Sequence, residues 1–412
     1  MGQNLSTPAP ISERYPQSGH PKAPPVWVLA ALISSSVTGL TLILPALPDI
    51  KASYGLSATQ TQLLLSFYLL AVTVGQLIFG VISDAVGRRP VMLAGVCCFF
   101  FASIALFFAQ SGFELILLRG IQGLGAAASI AMGRAIINDC HDRNSAARIT
   151  STVTASMAII PILALSAGGL VIENSGHIGS FVMMVMLGTL NLIVALTTIK
   201  ETHSQHAQTL AVKQLFLAYR ETLQLRLFRD FGLITSMQAG VFFALQGFLP
   251  FKFASLGLSA LDFGIWFSFT SLGYLVGNLF SRRYTLRFGL EKMVFYGVII
   301  ATISMSLLGL CDLMDIRDPL YYALCLLVFG LGNGVVIANA LTGAISASKR
   351  RGTATGLVGA GQVASGAVLG WVIAVFGGIS LFWVAMVCVH VFLVISFWPA
   401  YRLVSVKSRP KT

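Results

Sequence analysis

Long stretches of this chain contain no Asp, Glu, Lys or Arg. The charge-free runs are 23–48, 52–83, 90–113, 149–172, 174–199, 231–251, 263–281, 293–311 and 319–348. A further run, 352–401, has Gly377-Gly378 near its middle, and 115–133 is interrupted only by Arg119. A helix needs about 20 apolar residues to cross a bilayer, so these runs read as twelve spans, the longest counted as two. In lipid each backbone N–H and C=O must find its partner within the protein, and runs this long and uniform suit helices rather than barrel strands. The expectation is therefore an all-α membrane protein. Composition agrees: 10% of residues are charged and 56% hydrophobic, where soluble domains carry about 25% charged residues.

The net charge of +12 would suit a nucleic-acid partner, but its distribution does not. With the amino terminus on the cytoplasmic side, all but four of the 27 basic residues fall in cytoplasmic segments. Lys51, Lys252 and Arg317 fall on the other side, and Arg119 lies inside a span. Lys and Arg mark the inner face of a membrane protein, so the basic balance is a topology signal placing both termini in the cytoplasm. It points away from nucleic acid, since the cations face one membrane surface in small groups. No small-residue cleavage site follows the first run, so no removed signal peptide is expected. Cys97, Cys98, Cys140, Cys311, Cys325 and Cys388 have no CxxC spacing and read as small hydrophobes. No P-loop, zinc spacing or nucleophile elbow is present, which argues against ATP use, a metal and an enzyme.

Between the second and third runs stands Gly80-Val81-Ile82-Ser83-Asp84-Ala85-Val86-Gly87-Arg88-Arg89-Pro90. A turn holding both signs of charge cannot lie in hydrocarbon, so it marks a membrane surface. It also takes part in an internal repeat. Val74-Gly75-Gln76-Leu77 matches Val276-Gly277-Asn278-Leu279, Gly87 matches Gly289, and both pairs of glycines are 202 positions apart. Ala147-Arg148-Ile149-Thr150-Ser151 is similarly echoed by Arg351-Gly352-Thr353-Ala354-Thr355. Two six-helix halves in parallel repeat are an architecture used by secondary transporters. The expected organisation is a cytoplasmic tail (1–25), a six-helix bundle (26–199), a cytoplasmic linker with a surface helix (200–230), a second six-helix bundle (231–400) and a tail (401–412).

Gly80-x-x-x-Asp84-x-x-Gly87-Arg88-Arg89-Pro90 resembles the loop signature of the major facilitator superfamily, and Arg119 to Gly125 resembles its fourth-span motif. Leu44-Pro45-Ala46-Leu47-Pro48 and the Gly352-Thr353-Ala354 turn resemble its twelve-span drug:proton antiporters, most closely the bicyclomycin and chloramphenicol resistance subgroup. The likeness covers residues 26–400. Three positions depart from that subgroup. Thr41 stands where an Asp is usual, Leu165 where a second proline of the fifth span is usual, and His177-Ile178 where Trp-Arg or Trp-His is usual. The first departure leaves the carrier of the coupling proton unassigned.

The resemblance implies that Gly80, Asp84, Gly87, Arg88 and Arg89 form a gating loop. Asp84 would meet the amino-terminal amides of the eleventh span, near Gly352 to Thr355, and hold the cytoplasmic side shut. Surface anchoring to lipid phosphate is the plainer reading of the same residues. Arg119 is expensive in a span unless it is partnered or faces water. It reads either as a vestibule residue that binds substrate or senses protonation, or as a structural tie to carbonyls and Gln122, with Glu114 a possible partner. No acidic residue falls near the centre of a run, so the interior field should favour anionic, zwitterionic or neutral cargo. Thr41, Tyr68, Gln76, Gln238, Gln246, Trp266, Tyr274, Asn278, Asn333, Asn339 and Gln362 either line a vestibule or bond neighbouring helices. His390 reads as a packing residue, Asp312 as solvated, and Gly273-x-x-x-Gly277 and Gly366-x-x-x-Gly370 as close helix contacts.

The expected function is secondary active transport of a small organic molecule by alternating access across a bacterial-type inner membrane. Proton-linked efflux of a drug-like compound or metabolite is favoured. Import or export of an anionic metabolite, such as a carboxylate metal chelator, is the alternative. The chain is expected to act as a monomer in the lipid bilayer, with no cofactor beyond a proton gradient.

Overall fold

The computed structural model describes residues 23–141, 143–202, 212–348, 350–376 and 381–407. Most of the expected amino-terminal tail, Lys349, Gly377-Gly378 and residues 408–412 lie outside the described residues, as does the side chain of Pro161. The described chain is helical throughout. Its helices are α1 (Val26–Thr41), α2 (Leu47–Ser53), α3 (Ala58–Val86), α4 (Arg88–Ala105), α5 (Gly112–Cys140), α6 (Arg143–Thr198), α7 (Val212–Gln224), α8 (Arg226–Ser255), α9 (Ala260–Phe288), α10 (Leu290–Leu313), α11 (Pro319–Ala347), α12 (Arg351–Phe376) and α13 (Leu381–Lys407).

Among the described residues, eleven stretches are long and apolar enough to cross a membrane. One of them belongs to α6, whose 56 residues are broken at Gly176, where φ is 59°. That left-handed turn favours glycine. Beyond it the His177 N–H donates to Asp49 Oδ2 at 2.6 Å. A carboxylate thus caps a new helix start, as helix amino termini favour. The break divides α6 into two crossing lengths, so the fifth and sixth spans follow each other without a loop. Pro45 and Pro48 interrupt the first span, which continues through a 3-10 turn at Leu44–Ala46 into α2.

The repeat read from the sequence is a structural one. Ser57 and Ser259, again 202 apart, each form a capping box at the start of α3 and α9. Gly87 (φ 104°) and Gly289 (φ 84°) end those helices. A Cβ on Gly75 would press on the Ala127 side chain of α5, and one on Gly277 would overlap the Leu331 carbonyl of α11. The same helix pair is therefore drawn together in each half.

The halves meet along two antiparallel seams, α3 with α12 and α6 with α9. At the first, the Thr59 hydroxyl donates to Ala374 O at 2.7 Å. Higher on the same seam, a Cβ on Gly370 would stand 2.6 Å from Ser66 Oγ. At the second seam, a Cβ on Gly169 would stand 2.5 Å from Ala260 O, and Ser268 donates to Ile162 O at 3.3 Å. These contacts lie toward the rim holding Lys51 of α2 and Lys252 near the end of α8, opposite the basic face. Toward the basic face, α3 and α12 separate: a Cβ on Gly80, Gly352 or Gly356 would meet nothing within 4 Å. The vestibule between the halves therefore opens to the basic face and is shut at the other. On that open side α7 forms the expected surface helix, tied to the α11–α12 turn by Glu221 and Arg350 at 3.1 Å. The helix of the second half begins at Arg226 rather than after residue 230.

Candidate functional site

The turn at Gly87 is built to hold Arg88. Gly87 adopts a positive φ, so α3 stops and α4 starts within one residue. Arg88 then folds back: Nη1 donates to Asp84 Oδ1 at 2.6 Å and to Ser83 Oγ at 2.5 Å, and Nε donates to Asp139 Oδ2 at 3.0 Å. Glu201, just beyond α6, accepts from the N–H groups of Arg88 (2.9 Å) and Arg89 (3.1 Å), capping α4. Thr202 donates to Asp139 Oδ2 at 3.2 Å. The loop, the end of α5 and the end of α6 become one charge-assisted unit, the stronger kind of hydrogen-bonded cluster. Asp139, Glu201, Ser83 and Thr202 were not singled out from the sequence. Each sits at a span end, where a polar residue needs no special explanation.

Among the described residues, Asp84 makes no hydrogen bond or ion pair with the start of α12, where the resemblance had placed its contact. Asp84 is exposed and its partner is Arg88 in its own half. The physical reason is the splay of α3 from α12, which leaves Gly352 and Gly356 facing open space.

Arg119 does not face the vestibule. Its side of α5 turns inward against α1, α3 and the second part of α6, and the residue is 0% exposed. Nη1 donates to Gln122 Oε1 at 2.8 Å and Gly39 O at 3.2 Å, and Nε to Leu64 O at 3.4 Å. The guanidinium lies 4.4 Å from the Tyr68 ring centroid, and Tyr68 donates to Ser36 O at 2.7 Å. Gln122 passes the chain on to Ser103 at 2.8 Å. Arg119, Gln122 and Tyr68 are thus brought together, on the pattern of a structural tie. Glu114 is elsewhere, accepting from the Gln110 N–H at 2.8 Å near the start of α5. Arg119 is also not alone as a buried charge: Arg88 and Asp230 are buried near the basic face, and Asp230 pairs with Arg402.

The other polar candidates scatter. Thr41 is buried and bonds Val37 O and Thr38 O within α1. Asn339 joins Ser281 (3.0 Å) and Thr285 (2.6 Å) inside the second half. Gln238 approaches Ser396 at 3.4 Å, and Asn333 donates to Gln238 O at 3.3 Å. Gln246 is buried. Asn278 donates to Tyr274 O at 2.8 Å, and Gln362 to Thr235 Oγ1 at 2.9 Å. Trp266 sits beside Phe269, ring centroids 5.8 Å apart. Thr41, Asn278, Asn339 and Gln362 therefore bond within their own half, while Gln238 Oε1, Gln246 Oε1 and Asn333 Oδ1 are buried without a partner among the described residues. His390 lines a lipid-side groove between α10 and α13 and lies 3.1 Å from Ser306 Oγ. Asp312 is not solvated as expected; α10 continues past it, and it pairs with Lys252 beneath Tyr322 and Phe382.

Gln76 differs from this set. A Cβ on Gly359 of α12 would lie 3.3 Å from Gln76 Oε1 and 3.4 Å from Arg134 Nη1. Both side chains therefore reach one bare patch of the opposite half, at the level where the α3–α12 seam begins to part. Arg134 was read from sequence as a surface charge, because the charge-free run ends just before it. Its place inside α5, which runs on to Cys140, was the missed signal.

Two pseudo-symmetric six-helix bundles, shut together at one membrane face and parted at the other, define a membrane transporter of the two-bundle class. The chain belongs to the Major Facilitator Superfamily, whose family model matches residues 29–368 and again 231–412. It is similar to the multidrug resistance protein MdtL of Shewanella oneidensis, 27% identical over 344 residues, covering 81% of this chain and 84% of that protein. It is similar also to the bicyclomycin resistance protein homolog of Haemophilus influenzae, 23% identical over 82% of this chain and 85% of that one. Among solved structures, a bacterial homolog of the human lysosomal transporter Spinster, inward-facing and unoccupied, superposes with TM-score 0.72 at 16% identity, over 94% of this chain and 98% of that one. The D-xylose–proton symporter does so with TM-score 0.69 at 15% identity, over 90% and 97%. At these identities the superpositions bear on the fold alone.

Proposed function

We propose that this chain is a proton-linked exporter that moves small organic molecules across a bacterial inner membrane by alternating access. The observation that carries the reading is the pair of seams: closed through Ser66, Gly370, Gly169 and Ala260 at one face and parted at Gly80 and Gly356 at the other. Two rigid bundles with such a one-sided opening can rock about a central site and expose it to each face in turn. With the basic face cytoplasmic, this conformation is open to the cytoplasm, ready to load an exported molecule, and both termini lie there. The drug-resistance names of the relatives support efflux of drug-like compounds.

In the reverse state the parted ends would close. Asp84 is exposed and positioned on α3 to reach the start of α12, so the Gly80 to Arg89 loop acts as the cytoplasmic latch. The chain works as a monomer, with the proton gradient as its energy source. The test is transport in proteoliposomes of purified protein, with a panel of labelled compounds, with and without an imposed proton gradient. Gradient-dependent movement of a panel member is the expected result. Movement that is indifferent to the gradient removes proton coupling, and no movement of any member removes drug efflux.

A further inference from the structure

We propose that Arg134, with Gln76 beside it, is the anchor for the negatively charged group of the cargo, and that the chain carries organic anions bearing a carboxylate. This rests on the transport reading above and names the substrate class at that same vestibule. Arg134 lies six residues before the end of α5, which is about 9 Å along the helix axis from the basic face. It is half-buried. No ion pair or side-chain hydrogen bond joins it to another described residue, and the same holds for Gln76. Neither has a polar side-chain atom sealed from water.

A cation this far inside a spanning helix is costly unless it is paired or faces water. The buried guanidiniums of the N-terminal half, Arg88 and Arg119, are accounted for, Arg88 by two carboxylates and Arg119 by carbonyls and Gln122. Arg134 has kept its charge for something that arrives. Its Nη1 and Gln76 Oε1 converge on Gly359, whose bare backbone lets both polar ends lie close against α12 at the junction of the two halves. A carboxylate arriving beside them would accept from the guanidinium, and from the Gln76 amide once that amide turns its Nε2 rather than its Oε1 toward the anion. Charge-assisted bonds of this kind are short and strong. The ligand would touch both halves at the point where they part, which is where binding energy can bias the rocking motion.

Two measurements test this. The first reads the field and needs no cargo. A Gly359→Cys variant is labelled with an anionic sulfonatoethyl and a cationic trimethylammonioethyl methanethiosulfonate, against the parent protein with its native cysteines as background. The anionic reagent should be favoured about three- to tenfold over its ratio on a free thiol. Adding Arg134→Gln should abolish that preference; a preference that is missing, or that survives Arg134→Gln, overturns the proposal. The second is transport of a carboxylate dye and of a lipophilic cationic dye in proteoliposomes. Arg134→Gln should reduce anion transport at least about tenfold, with Arg134→Lys retaining more. A parent that carries the cation and not the anion, or anion transport unchanged in Arg134→Gln, also overturns it. If the parent moves neither dye, the transport reading is what fails, and the labelling contrast alone decides the site.

Discussion

Arg119 shows what a single residue can reveal when its mate in the other half is known. Gly123 packs on the Tyr68 carbonyl and Gly330 on that of Thr270, so α5 and α11 correspond at a register of 207. Arg119 then matches Leu326 and Gln122 matches Phe329, both 0% exposed. The architecture does not need a cation there. One terminal nitrogen of Arg119, Nη2, has no partner among the described residues. Replacing a buried polar pair by apolar residues of similar size is often neutral or stabilising, whereas removing one partner strands the other. The double change Arg119→Leu, Gln122→Phe, which copies the second half, should therefore stay folded and lose less than about 2 kcal/mol, while Arg119→Ala should lose about 3–5 kcal/mol by leaving a cavity and an unpartnered Gln122; thermal unfolding in detergent separates them. A melt of the double variant as low as that of Arg119→Ala would mean that the first half needs this polar pair to hold its fold. Asp84 is the opposite case. It is exposed, and Arg88 keeps Asp139 and Ser83 without it, so Asp84→Asn should cost under about 1 kcal/mol. The same change should slow transport and hold the protein inward-open, as read by accessibility of vestibule cysteines; unchanged transport would discard the latch.

At the level of helices, close approach is set by glycine. A Cβ on Gly277 would overlap the Leu331 carbonyl of α11, whereas one on Gly356 of α12 meets open space. Gly277→Leu should therefore sharply reduce the monodisperse yield on size exclusion, and Gly356→Leu should leave it near the parent level; equal yields would mean that the α9–α11 distance is not held by that contact. Gly277, its mate Gly75, the pair Gly87 and Gly289 and the apolar lengths were legible in the sequence, because hydrophobic length and a strict register survive with no knowledge of contacts. What could not be read was direction around a helix axis. Arg119 and Arg134 lie on the same helix, 15 positions apart; the sequence singled out Arg119, whose face turns into its own bundle, and counted Arg134 among the surface charges, although it reaches the opposite half at Gly359. The depth of a charge from the nearest run end is visible, but which neighbour its face meets is not. Asp312 was misplaced for a related reason, since its partner Lys252 comes from a helix far along the chain.

For the whole molecule, alternating access requires that the two seams open and close in turn. The structure supplies a position for each state. Ser66 and the bare face of Gly370 touch across the closed seam, while Gly80 and Gly356, further along the same antiparallel pair, stand clear of neighbours. A Ser66→Cys, Gly370→Cys pair should cross-link readily in the resting protein, arrest transport, and release it on reduction. A Gly80→Cys, Gly356→Cys pair should cross-link slowly, because its chains must wait for the other state to bring α3 and α12 together at the basic face. A cargo that drives the cycle should speed the second cross-link, and a proton gradient should shift its rate, whereas a rigid pore would leave both rates unchanged. Transport that continues with the Ser66–Gly370 link in place would mean that the halves need not part there, and the rocking mechanism would fall with it.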